Sequence, residues 1–109
     1  RKKDLLDKYK SNLNHINQVS FVSPRDDSIS NNWLITIILN LEDKSRIKKE
    51  RDKLLNQSYK RNILLRPLWK PLHKLEMYKN SPKGPLCNAD KFEYSIINLP
   101  SSPQLLIEY

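Results

Sequence analysis

The chain has 109 residues and a formal net charge of +8, with 38% hydrophobic and 29% charged residues. That length suits one small domain with a modest core, and the composition is globular, which excludes a disordered tail and a bundle of membrane spans. The basic balance, with a pI near 9.7, fits a partner rich in phosphate, either nucleic acid or a nucleotide.

Leu5, Leu6, Tyr9, Leu13 and Ile16 recur at helical spacing with charged residues between them, so an amphipathic helix opens the chain. No capping residue precedes Arg1, and we expect a piece of a longer polypeptide. Val19, Phe21 and Val22 make a short strand candidate, followed by a polar turn from Ser23 to Ser28. Asp26 and Asp27 read as solvated turn residues rather than as an acid/base pair. From Trp33 to Leu39 the chain is apolar and β-branched without alternation, which predicts a core strand buried on both faces. This longest apolar run is too short to cross a bilayer, and no secretory signal pattern is present, so a cytoplasmic protein is expected.

Asp43 is placed to cap a helix whose Ile47, Leu54 and Leu55 form a narrow inward stripe. Its outer face pairs Arg46 with Glu50 and Lys48 with Asp52 at four-residue spacing, which suits a solvated face better than a nucleic-acid patch. Asn62 to Leu65 predicts another strand, which leads into Arg66-Pro67-Leu68-Trp69-Lys70-Pro71-Leu72-His73. There each proline fixes its own φ and pushes the preceding residue toward extended geometry, predicting a stiff loop without regular structure. It carries a cation, an indole and an imidazole, and so suggests a binding edge. The same residues also fit a strand end whose Trp69 packs on the core and whose Arg66 meets a carboxylate. Leu75, Met77 and Tyr78 fit a single helical turn, and Ser81 to Pro85 an exposed connection. Asn88 predicts the N-cap of a helix with Ala89, Phe92 and Ile96 on one face, stopping at Asn98-Leu99-Pro100. The expected fold class is α/β in the two-layer α+β sense: a single small domain over 1–109, its few-stranded sheet centred on Trp33 to Leu39, with helices mainly on one face.

Catalytic motifs are scarce. With Gly84 the only glycine, a Walker loop, a dinucleotide fingerprint and a serine nucleophile elbow are excluded. Ser45 to Lys48 matches Ser-x-x-Lys by chance, inside the charged helix. One cysteine, Cys87, and two histidines, His15 and His73, supply neither an internal disulfide nor a zinc ligand set.

The ordered series Asn32-Trp33-Leu34, Arg66-Pro-Leu-Trp69-Lys-Pro-Leu-His73, Met77-Tyr78, Asn88-Ala89 and Asn98-Leu-Pro-Ser-Ser102 resembles the C-terminal region of the DegT/DnrJ/EryC1/StrS sugar aminotransferases. The resemblance covers nearly the whole chain and leans toward the branch acting on UDP-linked 4-keto-6-deoxy acetamido sugars, as in bacillosamine and legionaminic acid pathways. It implies the small C-terminal domain of a fold-type I enzyme that uses pyridoxal 5'-phosphate (PLP) to move an amino group, with glutamate as donor, to a nucleotide-linked keto-sugar. It also implies a homodimer at full length, with a large PLP domain as the missing partner and no membrane. The family's Schiff-base lysine follows a Ser-His pair that is absent here, and His73-Lys74 does not replace it. The final helix that the resemblance implies after Ser102 is also missing before Tyr109. A fragment is therefore expected that carries no catalytic residue, binds no cofactor alone and is inactive by itself. By motif position, Arg66, Trp69 and His73, with Asn32 and Trp33 as a second pair, are the expected substrate-binding residues: Arg66 for a phosphate or the donor's carboxylate, Trp69 for a ring, His73 for a sugar or phosphate oxygen. A basic, non-catalytic nucleic-acid module and an interaction domain remain the alternatives, although the Gly/aromatic RNA-binding pattern is missing.

Overall fold

In the computed structural model, which describes residues 1–107, a four-stranded antiparallel sheet carries helices on one face. The elements run α1 (Lys2–Leu13), β1 (Val19–Phe21), β2 (Ile35–Leu39), α2 (Lys44–Lys60), β3 (Arg66–Pro67), α3 (Cys87–Phe92) and β4 (Ile96–Leu99). Short 3-10 turns cover Leu72–Lys74, Glu76–Tyr78 and Pro103–Leu106. The strand order is β1-β2-β4-β3, so β2 and β4 form the centre.

Pairing sets Ile35 opposite Leu99 and Ile37 opposite Ile97, so these side chains share a face, and with Leu39 they make the sheet's contribution to the core. Leu5, Leu6, Tyr9 and Leu13 of α1 and Leu54 of α2 pack against that same face. The two-layer expectation therefore holds. β2 alternates, however, with Ile35, Ile37 and Leu39 buried and Thr36 and Ile38 half-buried, rather than being buried on both faces. It also begins two residues later than the apolar run, leaving Trp33 71% and Leu34 53% exposed. The cause lies just upstream: Asn32 sits at φ 52, and the Trp33 amide donates to Asn31 Oδ1 at 3.0 Å, a side-chain turn that delays the ladder.

α2 starts as expected, with the Asp43 carboxylate accepting from the Ser45 amide at 2.9 Å. The two ion pairs expected along its outer face do not close. Asp52 is taken instead by Arg51 at 2.7 Å, and Lys48 and Arg51 both lie over the Tyr94 ring, at 5.3 and 4.8 Å from its centre. α2 ends in a left-handed Asn62 (φ 59), with the Asn62 amide donating to Tyr59 O and the Ile63 amide to Ser58 O, both at 2.9 Å. That cap consumes the residues expected to form a strand over Asn62 to Leu65.

The strand appears instead in the proline-rich stretch. Arg66 and Pro67 pair with Asn98 and Ile97, and the Leu68 amide donates to Ile96 O at 3.3 Å. Because residue 68 turns its amide toward β4, residue 67 turns its nitrogen outward, where a proline costs no ladder bond on an edge strand. The helix expected through Ile96 stops at Phe92, and Asn88 lies inside its first turn rather than at the cap, which is Leu86. Ile96–Leu99 is a strand, because two adjacent isoleucines that can pair with β2 gain more from the sheet than the helical spacing of Ala89, Phe92 and Ile96 offers locally. α1 also ends before Ile16, at the Asn14 cap.

Candidate functional site

On the sheet face away from α1 and α2, register sets Thr36, Asn98 and Arg66 in one row across β2, β4 and β3. Thr36 Oγ1 donates to Asn98 Oδ1 at 2.7 Å. Arg66 is exposed and has no hydrogen bond or ion pair among the described residues. The row's Arg66 and Asn98 open into a groove of about 490 Å³ whose apolar wall includes Trp33, Leu34, Ile63, Leu64 and Leu105. Ser101 and Ser102 add polar atoms to its lining. Ser101 Oγ donates to Trp33 O at 2.8 Å, which ties the segment after β4 to the segment before β2. Lys2 Nζ donates to the same carbonyl at 3.3 Å. Of the residues expected from sequence, the groove brings together Arg66 and Trp33, and Asn32 immediately precedes Trp33 in the chain.

His73 lies elsewhere, in an apolar recess of about 490 Å³ lined by Pro71, Leu72, Tyr78, Leu86 and Ala89. Its Nε2 is 3.0 Å from Asp90 Oδ1, while Lys74 Nζ reaches Asp90 Oδ1 at 3.3 Å and also bonds Glu93 Oε2. These four side chains clamp the 72–74 turn to α3. The hydrogen bond from His73, helped by Lys74, holds the Asp90 carboxyl below its ordinary range. Glu93, and then Asp90, raise the Lys74 ammonium above its ordinary value. Trp69, between Arg66 and His73 in the chain, is 90% exposed. The clamp partners Asp90 and Glu93 and the groove's Asn98 were not singled out as site residues from sequence. Asn98 did stand in the quoted Asn-Leu-Pro-Ser-Ser motif, but there it read as a helix end.

PLP needs a neutral lysine amine for its Schiff base, a carboxylate at the pyridinium nitrogen and a phosphate cradle. The described residues do not fit it. Lys74, the lysine drawn in by two carboxylates, is held as an ammonium by them, and Gly84, the one glycine, lies in an open connection with nothing within 4 Å of where its Cβ would be. Among the described residues no group of three His, Cys, Asp or Glu could hold a metal ion, and no helix is long and apolar enough to cross a membrane.

Comparison with known proteins supplies what the geometry leaves unnamed. The sequence model of the DegT/DnrJ/EryC1/StrS aminotransferase family matches residues 1–108. GDP-perosamine synthase of Escherichia coli O157:H7 is 33% identical over 106 residues, which are 96% of this chain and 26% of that protein. Among solved structures, Helicobacter pylori PseC, an aminotransferase involved in the biosynthesis of pseudoaminic acid, matches with a TM-score of 0.74 at 21% identity, over 91% of this chain and 26% of its own. The aminotransferase TlmJ from Streptoalloteichus hindustanus matches with a TM-score of 0.73 at 18% identity, over 92% and 25%. The chain thus spans about a quarter of the length of the relatives it matches.

Proposed function

Because the chain belongs to the DegT/DnrJ/EryC1/StrS aminotransferase family, we propose that it forms the small, substrate-facing domain of an enzyme that moves an amino group from glutamate to a nucleotide-linked keto-sugar. The donor leaves as its keto acid and the sugar ketone becomes an amine, so the two half-reactions balance. The observation that carries this reading is the family match over residues 1–108. The sugar-biosynthetic role of the E. coli relative supports the substrate class. The family is PLP-dependent, and the residues described here do not fit that cofactor, so the reading assigns it to a large domain in the same cytoplasmic polypeptide, paired as a homodimer.

In this reading the chain binds and orients substrate. Arg66, a cation without a partner among the described residues, meets an anionic oxygen, and Trp33, which lines the same groove, offers an exposed indole face for a ring. Asn32 shapes the approach through its left-handed turn. Trp69 is a second exposed platform, and the Nδ1 of His73, whose Nε2 is held by Asp90, is the atom left to meet a sugar oxygen.

The test is to sequence the coding DNA upstream of Arg1 and assay the polypeptide it encodes. An open frame containing Ser-His-x-x-Lys, whose product converts glutamate to 2-oxoglutarate only when a nucleotide-linked keto-sugar is supplied, is the expected result. A frame without that motif, or a product that transfers no amino group, overturns the reading. The 109-residue chain alone should show neither a stoichiometric PLP aldimine nor turnover.

A further inference from the structure

We infer that Asn98 is a second oxyanion-binding residue beside Arg66, and that Thr36 is the positioning residue that fixes its amide. The inference rests on the reading of the groove as a substrate site.

The argument is one of hydrogen-bond polarity. Thr36 Oγ1 donates to Asn98 Oδ1 at 2.7 Å, so the amide oxygen is occupied and its orientation set. The remaining polar atoms of Asn98 are the two Nδ2 hydrogens, both donors. Across the ladder from it stands Arg66, whose guanidinium is donor-only and unpartnered among the described residues. Directly opposed residues on one sheet face hold their Cβ atoms about 5 Å apart, close enough for an amide and a guanidinium to converge on one acceptor group. Asn98 and Arg66 therefore present free donors together and suit the planar or tetrahedral oxygens of a carboxylate or phosphate.

Two further residues of the lining have the opposite polarity. Ser101 donates its proton to Trp33 O, and Ser102 donates to Gln104 Oε1, so each hydroxyl presents lone pairs to the groove. Those lone pairs accept from hydroxyl groups. A ligand that matches this lining carries an oxyanion for Arg66 and Asn98, hydroxyls for Ser101 and Ser102, and an apolar or ring surface for Trp33 and Leu64. The shared chemistry is the oxyanion, with either the amino donor's carboxylate or the nucleotide's phosphate as its source.

The experiment titrates the isotopically labelled chain with GDP and, separately, with glutamate, following the side-chain amide resonances of Asn98 by NMR. Dispersed backbone spectra verify that each variant folds. Shifts confined to GDP assign the phosphate, and shifts confined to glutamate assign the carboxylate. Asn98→Asp, which replaces the donors with a charged acceptor at equal size, should weaken the responding probe at least about tenfold, as should Arg66→Ala. Thr36→Val keeps the β-branched shape and loses the hydroxyl donor, so it should weaken binding by about threefold, with rescue by Thr36→Ser. If neither probe moves the Asn98 amide, or if Asn98→Asp binds like the parent, the inference is overturned. A loss of binding in Arg66→Ala with none in Asn98→Asp would reject Asn98 while leaving the proposed function standing. That function fails on a different measurement, the absence of amino transfer by the encoded polypeptide.

Discussion

The groove and the clamp are both built around charged side chains, and they treat charge in opposite ways. In the clamp, Lys74 meets two carboxylates and His73 shares one of them, so cation and anion are matched within α3 and the turn packed on it. In the groove, Arg66 extends from an edge strand with no ion pair among the described residues. Charges satisfied internally hold backbone segments together, whereas a guanidinium left unsatisfied beside an exposed indole is available for something outside the fold. The proline-rich stretch joins the two: its first residue belongs to the groove and its last to the clamp. Pro67 and Pro71 fix the path between them.

The sharpest way to break this contrast is to remove the platform on which both sites stand. Ile97 is fully buried at the centre of the sheet, between Ile37 and Pro67 in register. Ile97→Ala should cost about 2–5 kcal/mol in urea unfolding, with groove and clamp lost in one transition. Separate melting of the 72–93 region would show instead that the clamp is an independent unit.

The next largest effect isolates the groove. In the proposed full-length enzyme, Arg66→Ala should weaken use of an anionic substrate by about 1.5–3 kcal/mol, the range for a charge-assisted hydrogen bond. Its urea midpoint should stay with that of the parent, because no partner among the described residues is lost. A clear drop in stability would place Arg66 in the structural class with Lys74.

A smaller effect marks the clamp through pH. The folded Asp90 carboxyl sits below its unfolded value, so its contribution is present in full above the ordinary aspartate range and is lost as pH falls through the folded value. Lys74 is raised, so its contribution is complete below the ordinary lysine range and is lost only as pH rises through the folded value. Between those limits, neutral pH keeps both. Thermal melts should therefore fall on acidification through the carboxylate range, and Asp90→Asn should lower the neutral melting temperature and flatten that acid limb. An acid limb unchanged by Asp90→Asn would show that other carboxylates govern it.

How far the sequence revealed this arrangement depended on how local each determinant is. The start of α2 was legible because Asp43 acts on Ser45, two residues away. The β2 core was legible because its apolar residues are contiguous. β4 was not, since Ala89, Phe92 and Ile96 share helical spacing while the partner that makes Ile96–Leu99 a strand lies some sixty positions earlier. Arg66 and Trp33 could be singled out by type and motif, yet their shared groove depends on the β2-β4-β3 order. His73 could be singled out, but not its bond to Asp90, seventeen residues on, because nothing local in Asp90 marks it.

Trp69 provides the smallest expected stability effect and the finest test of the contrast. From sequence an indole in this stretch fits the core as well as a platform, and the two roles predict different losses. A buried tryptophan truncated to alanine costs about 3–5 kcal/mol. At 90% exposure Trp69 has almost no burial to lose, so Trp69→Ala should remain within about 0.5 kcal/mol of the parent in unfolding. The informative measurement is then the Michaelis constant for the proposed sugar-nucleotide substrate in the proposed full-length enzyme. A rise at unchanged melting temperature would place Trp69 with Arg66, as a residue held out for a ligand on a backbone stiffened at Pro67 and Pro71. An unchanged Michaelis constant would confine recognition to the groove, where Trp33 supplies the aromatic face, and would make the 68–71 bridge a spacer between the two charged sites.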